Sequence, residues 1–356
     1  MDSIATLFCL YFFYFYLLYV LININKYSIN KQKLIARNSL IIITIIAGAR
    51  WNTGTDWEPY LEYYNLCKDG QSCPTYFEPS YLLINQINSY LGISYSYVLL
   101  MAAIISNFAF YKFITKTNIP VQGLLALFTY GLGNLIIIRS TIAQSIGLYA
   151  LTFNIIGFIF LIILASSFHY SAIFTFAYYY VRKANILFLF LFLIIFSLFI
   201  VNLQLTVGYL PNLNIFDFTK AKIDIYFGGD FSNSTELSLF SIVHKLILIY
   251  LIIKYRYLVD KLFTGLSTLA LFGVLLGIIL SYFSSVLLRF AGYFEPFIYI
   301  YIAILFSYSI NNLKNYFIGF TCLILLVLKF SYLIYYNYDL IVPYEFFFEE
   351  HFKNVY

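Results

Sequence analysis

Ile4-Ala-Thr-Leu-Phe-Cys-Leu-Tyr-Phe-Phe-Tyr-Phe-Tyr-Leu-Leu-Tyr-Val-Leu-Ile22 opens the chain as an unbroken apolar run. About 20 such residues, wound as a helix, cross the hydrocarbon layer of a bilayer. No basic segment precedes the run and no small-residue cleavage site follows it. It therefore reads as a first transmembrane helix rather than a cleavable signal. Working outward, similar runs recur along most of the sequence. Backbone polar groups in lipid must be satisfied within the segment, so the spanning elements are helices. The expected fold is all-α: a polytopic transmembrane bundle crossing about ten to twelve times.

Composition agrees with that solvent. Of the 356 residues, 62% are hydrophobic and 10% charged. A soluble domain carries about 25% charged residues, so this chain has too few to cover a surface for water. The length suits a single polytopic membrane domain, residues 1–356. The abundant Tyr and Phe place aromatic rings at headgroup level and also follow from general composition bias, so they are not read as a carbohydrate platform.

Charge position sets the expected sidedness. Lys26, Lys31, Lys33 and Arg37 form a basic loop, about 23–37, without an acid. Lys112, Lys116, Arg182, Lys183, Lys254, Arg256, Lys261 and Lys314 fall on the same side of the expected topology, with Asp260 the only acid among them. Lys and Arg gather on the cytoplasmic side, so these segments are inside. Two polar loops, about 50–78 and 204–237, then face outward. Helices are expected at 35–49, 95–114, 120–138, 186–203, 239–253, 266–283, 290–309 and 316–334, with an interfacial helix at 78–91. Residues 140–181 read as three short pieces, with breaks sought at Asn154, Gly157 and Ser166–Ser167. Helices broken at membrane depth are tolerated only where they line protein or a cavity, which marks this region as a candidate site.

The polar residues at outward helix ends are the chemical candidates. Arg50, Arg139 and Arg289 follow or open apolar runs. Charges at such depth are costly and usually functional, although a guanidinium can also snorkel to lipid headgroups. Three at one depth suit a diphosphate, which Arg binds bidentately. His169 is either a general acid or base or a hydrogen-bonded packing residue. Asp56 and Glu78 are carboxylates within reach of the same face, and the sequence does not select the base among the three. Glu295 either pairs with Arg289 or accepts a substrate hydroxyl. Tyr60 and Tyr293 accompany these charges. Cys67 and Cys73 share the first outer loop, where a disulfide suits an oxidising compartment; Cys9 and Cys322 read as small core residues. No phosphate loop, dinucleotide fingerprint or zinc spacing is present. The expectation is an enzyme with no cofactor, no metal and no nucleic-acid partner.

Several stretches carry a resemblance. Arg50-Trp-Asn-Thr-Gly-Thr-Asp56-Trp-Glu-Pro-Tyr60, continued by Tyr63 and Tyr64, is similar to the signature Arg-x-x-x-Gly-Thr-Asp-Tyr/Trp-x-x-Tyr-x-x-Tyr of bacterial repeat-unit polymerases, the Wzy-type and EpsG-like family. Glu78-Pro-Ser-Tyr81 resembles the Glu-x-Gly-Tyr element that follows, with Ser80 in place of Gly. Arg139-Ser-Thr-Ile-Ala143, Phe168-His169-Tyr-Ser171-Ala172 and Arg289-Phe-Ala-Gly-Tyr293-Phe294 resemble three later elements in family order, and Pro343-Tyr344 fits in the tail. The resemblance implies a membrane glycosyltransferase of GT-C-like architecture. It also implies undecaprenyl-diphosphate-linked oligosaccharides as substrates, joined into O-antigen or capsular polysaccharide at the outer face of the bacterial inner membrane. The other implied partners are membrane lipids and a chain-length regulator. A flippase would line a central path with charge and show repeats. An O-antigen ligase would carry one dominant outer loop, and an acyltransferase would place its His near cytoplasmic donors.

Overall fold

The structure is a computed structural model. It describes residues 3–54, 57–68, 77–132, 135, 137–208, 239–282, 285–310, 312, 315–342 and 344–346. Asp56, Cys73, Lys314 and residues 209–238 of the second polar loop lie outside the described residues.

Sixteen α-helices are described, in chain order α1 Ser3–Ile22, α2 Ile29–Gly48, α3 Trp57–Lys68, α4 Pro79–Tyr90, α5 Tyr95–Lys116, α6 Pro120–Gly131, α7 Arg139–Ala150, α8 Ile155–Phe168, α9 Ala177–Val181, α10 Ile186–Gly208, α11 Leu239–Asp260, α12 Leu266–Ser281, α13 Ser285–Gly292, α14 Glu295–Ser309, α15 Tyr316–Tyr336 and α16 Tyr338–Ile341. Two-residue strands β1 (Arg50–Trp51) and β2 (Glu345–Phe346) pair antiparallel, Arg50 opposite Phe346 and Trp51 opposite Glu345. The protein is an all-α helical membrane protein. Among the described residues, α1, α5 and α15 are long and apolar enough to cross a membrane, and four shorter apolar stretches lie in α8, α10, α12 and α14.

The outer faces of these helices are apolar. On α1, Phe8, Phe12, Phe15 and Tyr19 are exposed at spacings of four, three and four, while Tyr14, Leu17, Leu18 and Leu21 are buried. On α8, Ile156, Phe160 and Ile163 are likewise exposed. A helix that presents large apolar side chains outward suits lipid, not water.

The chain forms two compact units, one of residues 1–176 with 302–356 and one of residues 177–301. In the first, α5 packs against α2 and α7, and α7 against α8. Close approach depends on small residues: a Cβ on Gly48 of α2 would fall 2.5 Å from Leu100 Cδ1 and 2.9 Å from Leu100 Cα. On the other side, Tyr14 of α1 stacks on Phe330 of α15 at 3.8 Å and its hydroxyl meets Thr129 Oγ1 of α6 at 3.1 Å. In the second unit, α12 packs with α10, α11 and α13.

Several expected boundaries move. α2 starts at Ile29, so Lys31, Lys33 and Arg37 lie on helix rather than in a loop. Ser28 caps it by accepting the Lys31 backbone N–H; Lys and Arg are good helix formers, which a hydropathy reading misses. The helix expected at 120–138 stops at Gly131, because Leu132 turns left-handed at φ 46°. The helix expected at 290–309 is two, parted between Gly292 and Glu295. Residues 140–181 do divide into pieces. The breaks precede Asn154, whose side chain accepts the Gly157 N–H at 3.0 Å, and follow Phe168. Gly157 itself is helical. A 3-10 helix, Tyr170–Phe176, then leads into α9.

Candidate active site around Glu78

Glu78 immediately precedes α4, whose first residue is Pro79. Proline suits that position because its missing N–H would be unpaired there anyway. The backbone is thereby fixed, and the Glu78 carboxylate, 6% exposed, is gripped from two sides. Its Oε2 pairs with the Arg139 guanidinium. Its Oε1 lies 3.0 Å from His169 Nδ1 and accepts the Tyr170 backbone N–H at 3.3 Å. A residue from before α4, one from the start of α7 and one from just after α8 thus meet at a single carboxylate.

Each partner is positioned by a local event. Arg139 is the first residue of α7 because the chain leaves the helical path after Gly131. His169 ends α8, with its backbone N–H returning to Ala165 O, and the 3-10 turn begins at the next residue. Ser80 Oγ and Ser167 Oγ, 2.6 Å apart, tie the first turn of α4 to the last turn of α8 beside the Glu78–His169 contact.

Aromatic rings enclose the arginine. Its Nε donates to the Tyr60 hydroxyl at 2.6 Å, and its guanidinium carbon lies 4.3 Å from the Phe77 ring centre and 5.0 Å from that of Tyr60. Tyr81 completes the box at 5.7 Å. Stacking on rings and a fork of donors are what distinguish Arg from Lys in such a place.

Burial alone would raise the Glu78 pKa. The hydrogen bond with His169 and the charge of Arg139 outweigh it and bring the carboxyl down to about 2. Glu78 is therefore an ionised acceptor and a poor proton abstractor. A carboxylate that accepts from Nδ1–H leaves the other imidazole nitrogen, Nε2, as a lone-pair acceptor. The His169 side chain is 30% exposed, so the imidazole is partly open. The arrangement can orient a base and stabilise the imidazolium it becomes.

The other expected residues divide. Arg50 is buried, 3% exposed, and its Nη1 donates to the Leu135 carbonyl, four residues before Arg139. It also borders a small, half-open recess of about 10 Å³ with Ala47, Ala102, Ala103, Ser106 and Thr141. Arg289, Tyr293 and Glu295 belong to the second unit. There Arg289 is exposed on α13, the Tyr293 carbonyl accepts the Tyr178 hydroxyl, and Glu295 begins α14. Tyr60, expected to touch substrate, is buried with its hydroxyl on Arg139. Asp56 lies outside the described residues. Cys67 is disulfide-bonded, while Cys9 and Cys322 are free. Sequence reasoning missed Phe77, Ser167 and the Tyr170 N–H. The only signal was adjacency to Glu78 and His169.

No curated protein and no solved structure matches the chain. A model of the EpsG family matches residues 33–346, most of its length and all of the site just described. The chain belongs to the EpsG family, which points to a polysaccharide-polymerase-like role in a membrane.

Proposed function

We propose that the protein is a membrane glycosyltransferase that joins undecaprenyl-diphosphate-linked oligosaccharide repeat units into O-antigen or capsular polysaccharide at the outer face of the bacterial inner membrane. One observation carries the reading: a buried, ionised Glu78 holds both His169 and Arg139. In the reaction, a sugar hydroxyl of one lipid-linked chain attacks the anomeric carbon of another. The new glycosidic bond forms as the bond from that carbon to the diphosphate oxygen breaks, and the lipid diphosphate leaves with the electron pair. His169 Nε2 takes the hydroxyl proton, with Glu78 stabilising the imidazolium.

Arg50 and Arg139 are the groups of the first unit offered to the diphosphate, and Arg289, in the second unit, is a separate candidate for it. Arg139 serves this role only by exchanging Glu78 for substrate, since its guanidinium is already paired. Holding both chains in register supplies much of the rate by itself. A chain-length regulator fits beside such an activity as partner, and no cofactor is invoked.

The test is complementation of a strain lacking the gene, with surface polysaccharide resolved on a gel. The null strain should display single repeat units and the wild-type gene should restore a ladder. His169→Ala, present in the membrane at wild-type level, should fail to restore it. A null strain with no repeat units outside would overturn the reading and make the protein a transporter of those units.

A further inference from the structure

The C-terminal stretch returns to the opposite end of the chain. Within α16 the Leu340 carbonyl accepts the Gly54 N–H at 3.0 Å, and beyond the helix β2 pairs with β1. Between these two ties, the Tyr344 N–H donates to Thr6 Oγ1 of α1 at 3.1 Å, and the Tyr344 hydroxyl donates to the Ile46 carbonyl of α2. Its ring is buried among Ala47, Ala103 and Leu135. The stretch it holds, residues 50–54, is not helical and turns through positive φ at Asn52 (45°) and Gly54 (104°). A two-residue ladder is marginal by itself, so the order of this turn has to come from a buried anchor.

We infer that the C-terminal stretch is a strap that positions Arg50 and the turn into α3 for the Glu78 site, with Tyr344 as its positioning residue. Two routes run from Tyr344 to Arg139. The first is through Leu135, which packs on Tyr344, accepts Arg50 through its carbonyl and stands four residues before Arg139. The second is through the turn and α3 to Tyr60, whose hydroxyl accepts Arg139 Nε. Tyr344 touches no reacting group. It acts by fixing where the guanidiniums of Arg50 and Arg139 stand, and a misplacement of about 1 Å costs on the order of a hundredfold in rate. The inference rests on the polymerase reading for what the site does, but not for what the strap holds.

A spectroscopic probe is already in place. The chain has two tryptophans, Trp51 in β1 and Trp57 at the start of α3, with ring centres 4.9 Å apart. Tryptophan fluorescence of the full chain, excited at the long-wavelength edge where tyrosine does not absorb, therefore reports on this turn. Tyr344→Ala should give red-shifted emission that acrylamide quenches more readily, and polymer turnover about a hundredfold lower, carried by kcat and not KM. Tyr344→Phe keeps the packing, loses only the bond to Ile46, and should restore most of both. If Tyr344→Ala does not accumulate in the membrane, the pair Thr6→Val with Tyr344→Phe removes both hydrogen bonds at nearly constant volume and should still shift the emission. Wild-type emission from Tyr344→Ala, or from the Thr6→Val and Tyr344→Phe pair where that replaces it, or shifted emission with wild-type turnover, overturns the strap. A wild-type chain that makes no polymer sinks the polymerase reading, and the emission comparison then decides the strap by itself.

Discussion

Two regions rich in the expected site residues are built in opposite ways. Around Glu78, residues far apart in sequence converge: Tyr60, Phe77, Arg139 and His169 come from four segments and are bound by hydrogen bonds, an ion pair and ring contacts. Around Arg289, the residues are neighbours in sequence, on either side of the break between α13 and α14. That break is held by packing. Phe294 meets Tyr178 and Phe272 edge-on at 5.0 and 4.8 Å, and the Tyr178 hydroxyl reaches the Tyr293 carbonyl. A polar cluster away from water is all-or-nothing, because each member left alone costs its full desolvation. An aromatic wedge degrades by degrees. Loss of one residue should therefore be abrupt in the first region and graded in the second.

The largest effect should come from Arg139→Ala. It takes from the buried Glu78 carboxylate its guanidinium partner, leaving only His169 and the Tyr170 N–H, and should destabilise the protein by about 3–5 kcal/mol, read as a fall in unfolding temperature in detergent. A fall no larger than that of Arg289→Ala would erase the contrast. Next is acid. The Glu78 pKa is lowered from 4.5 to about 2. The stability it contributes is complete above the unfolded value and is lost as pH falls from there through the folded one. On the order of 2–3 kcal/mol should disappear over that window. Glu78→Gln should show no such loss, so the pH profiles of the two proteins should converge toward pH 2 as the wild type approaches the variant.

In the second region the sensitive position is Gly273, where an added Cβ would stand 2.7 Å from Phe294 Cβ. Gly273→Ala should cost about 1–3 kcal/mol by overpacking and should loosen the break as judged by proteolysis near residue 293. The smallest effect is expected for Arg289→Ala. The side chain is exposed, and stability should change by less than about 0.5 kcal/mol. If this variant keeps its stability yet loses the polysaccharide ladder, Arg289 serves substrate and not structure. If it keeps both, it is removed from the proposed anion site.

How much of this could be read from the chain depends on the kind of signal. Ile4–Ile22 is legible because apolar length is a one-dimensional property, and α1 ends at Ile22 as expected. The start of α2 escapes hydropathy, which treats Lys31 and Lys33 as interruptions, whereas the helix runs through them from its Ser28 cap. The break at Leu132 does carry a sign, the helix-ending cluster Gly131, Gly133 and Asn134, but a hydropathy reading passes over it because apolar residues continue on both sides; that the leucine itself takes φ 46° only surrounding contacts impose. At the site, Glu78, Arg139 and His169 were each nameable as polar residues at helix ends. Their sharing of one carboxylate was not, since no periodicity links positions 78, 139 and 169.

The sequence by itself determined the solvent, the helical class and the residue types available for chemistry, because burying about 20 apolar residues at a time in lipid leaves the backbone no other structure. Family motifs in order along the chain pointed to the EpsG family and so toward a polysaccharide-polymerase-like role. Tertiary structure alone decided the partnerships. It paired Arg139 with Glu78 rather than leaving it free, set the Glu78 carboxylate against His169 Nδ1, and brought Tyr344 back to the turn that begins at Arg50. Those choices depend on which helix ends meet, and that is set by close packing among α2, α4, α5, α7 and α8, which no local stretch of sequence encodes.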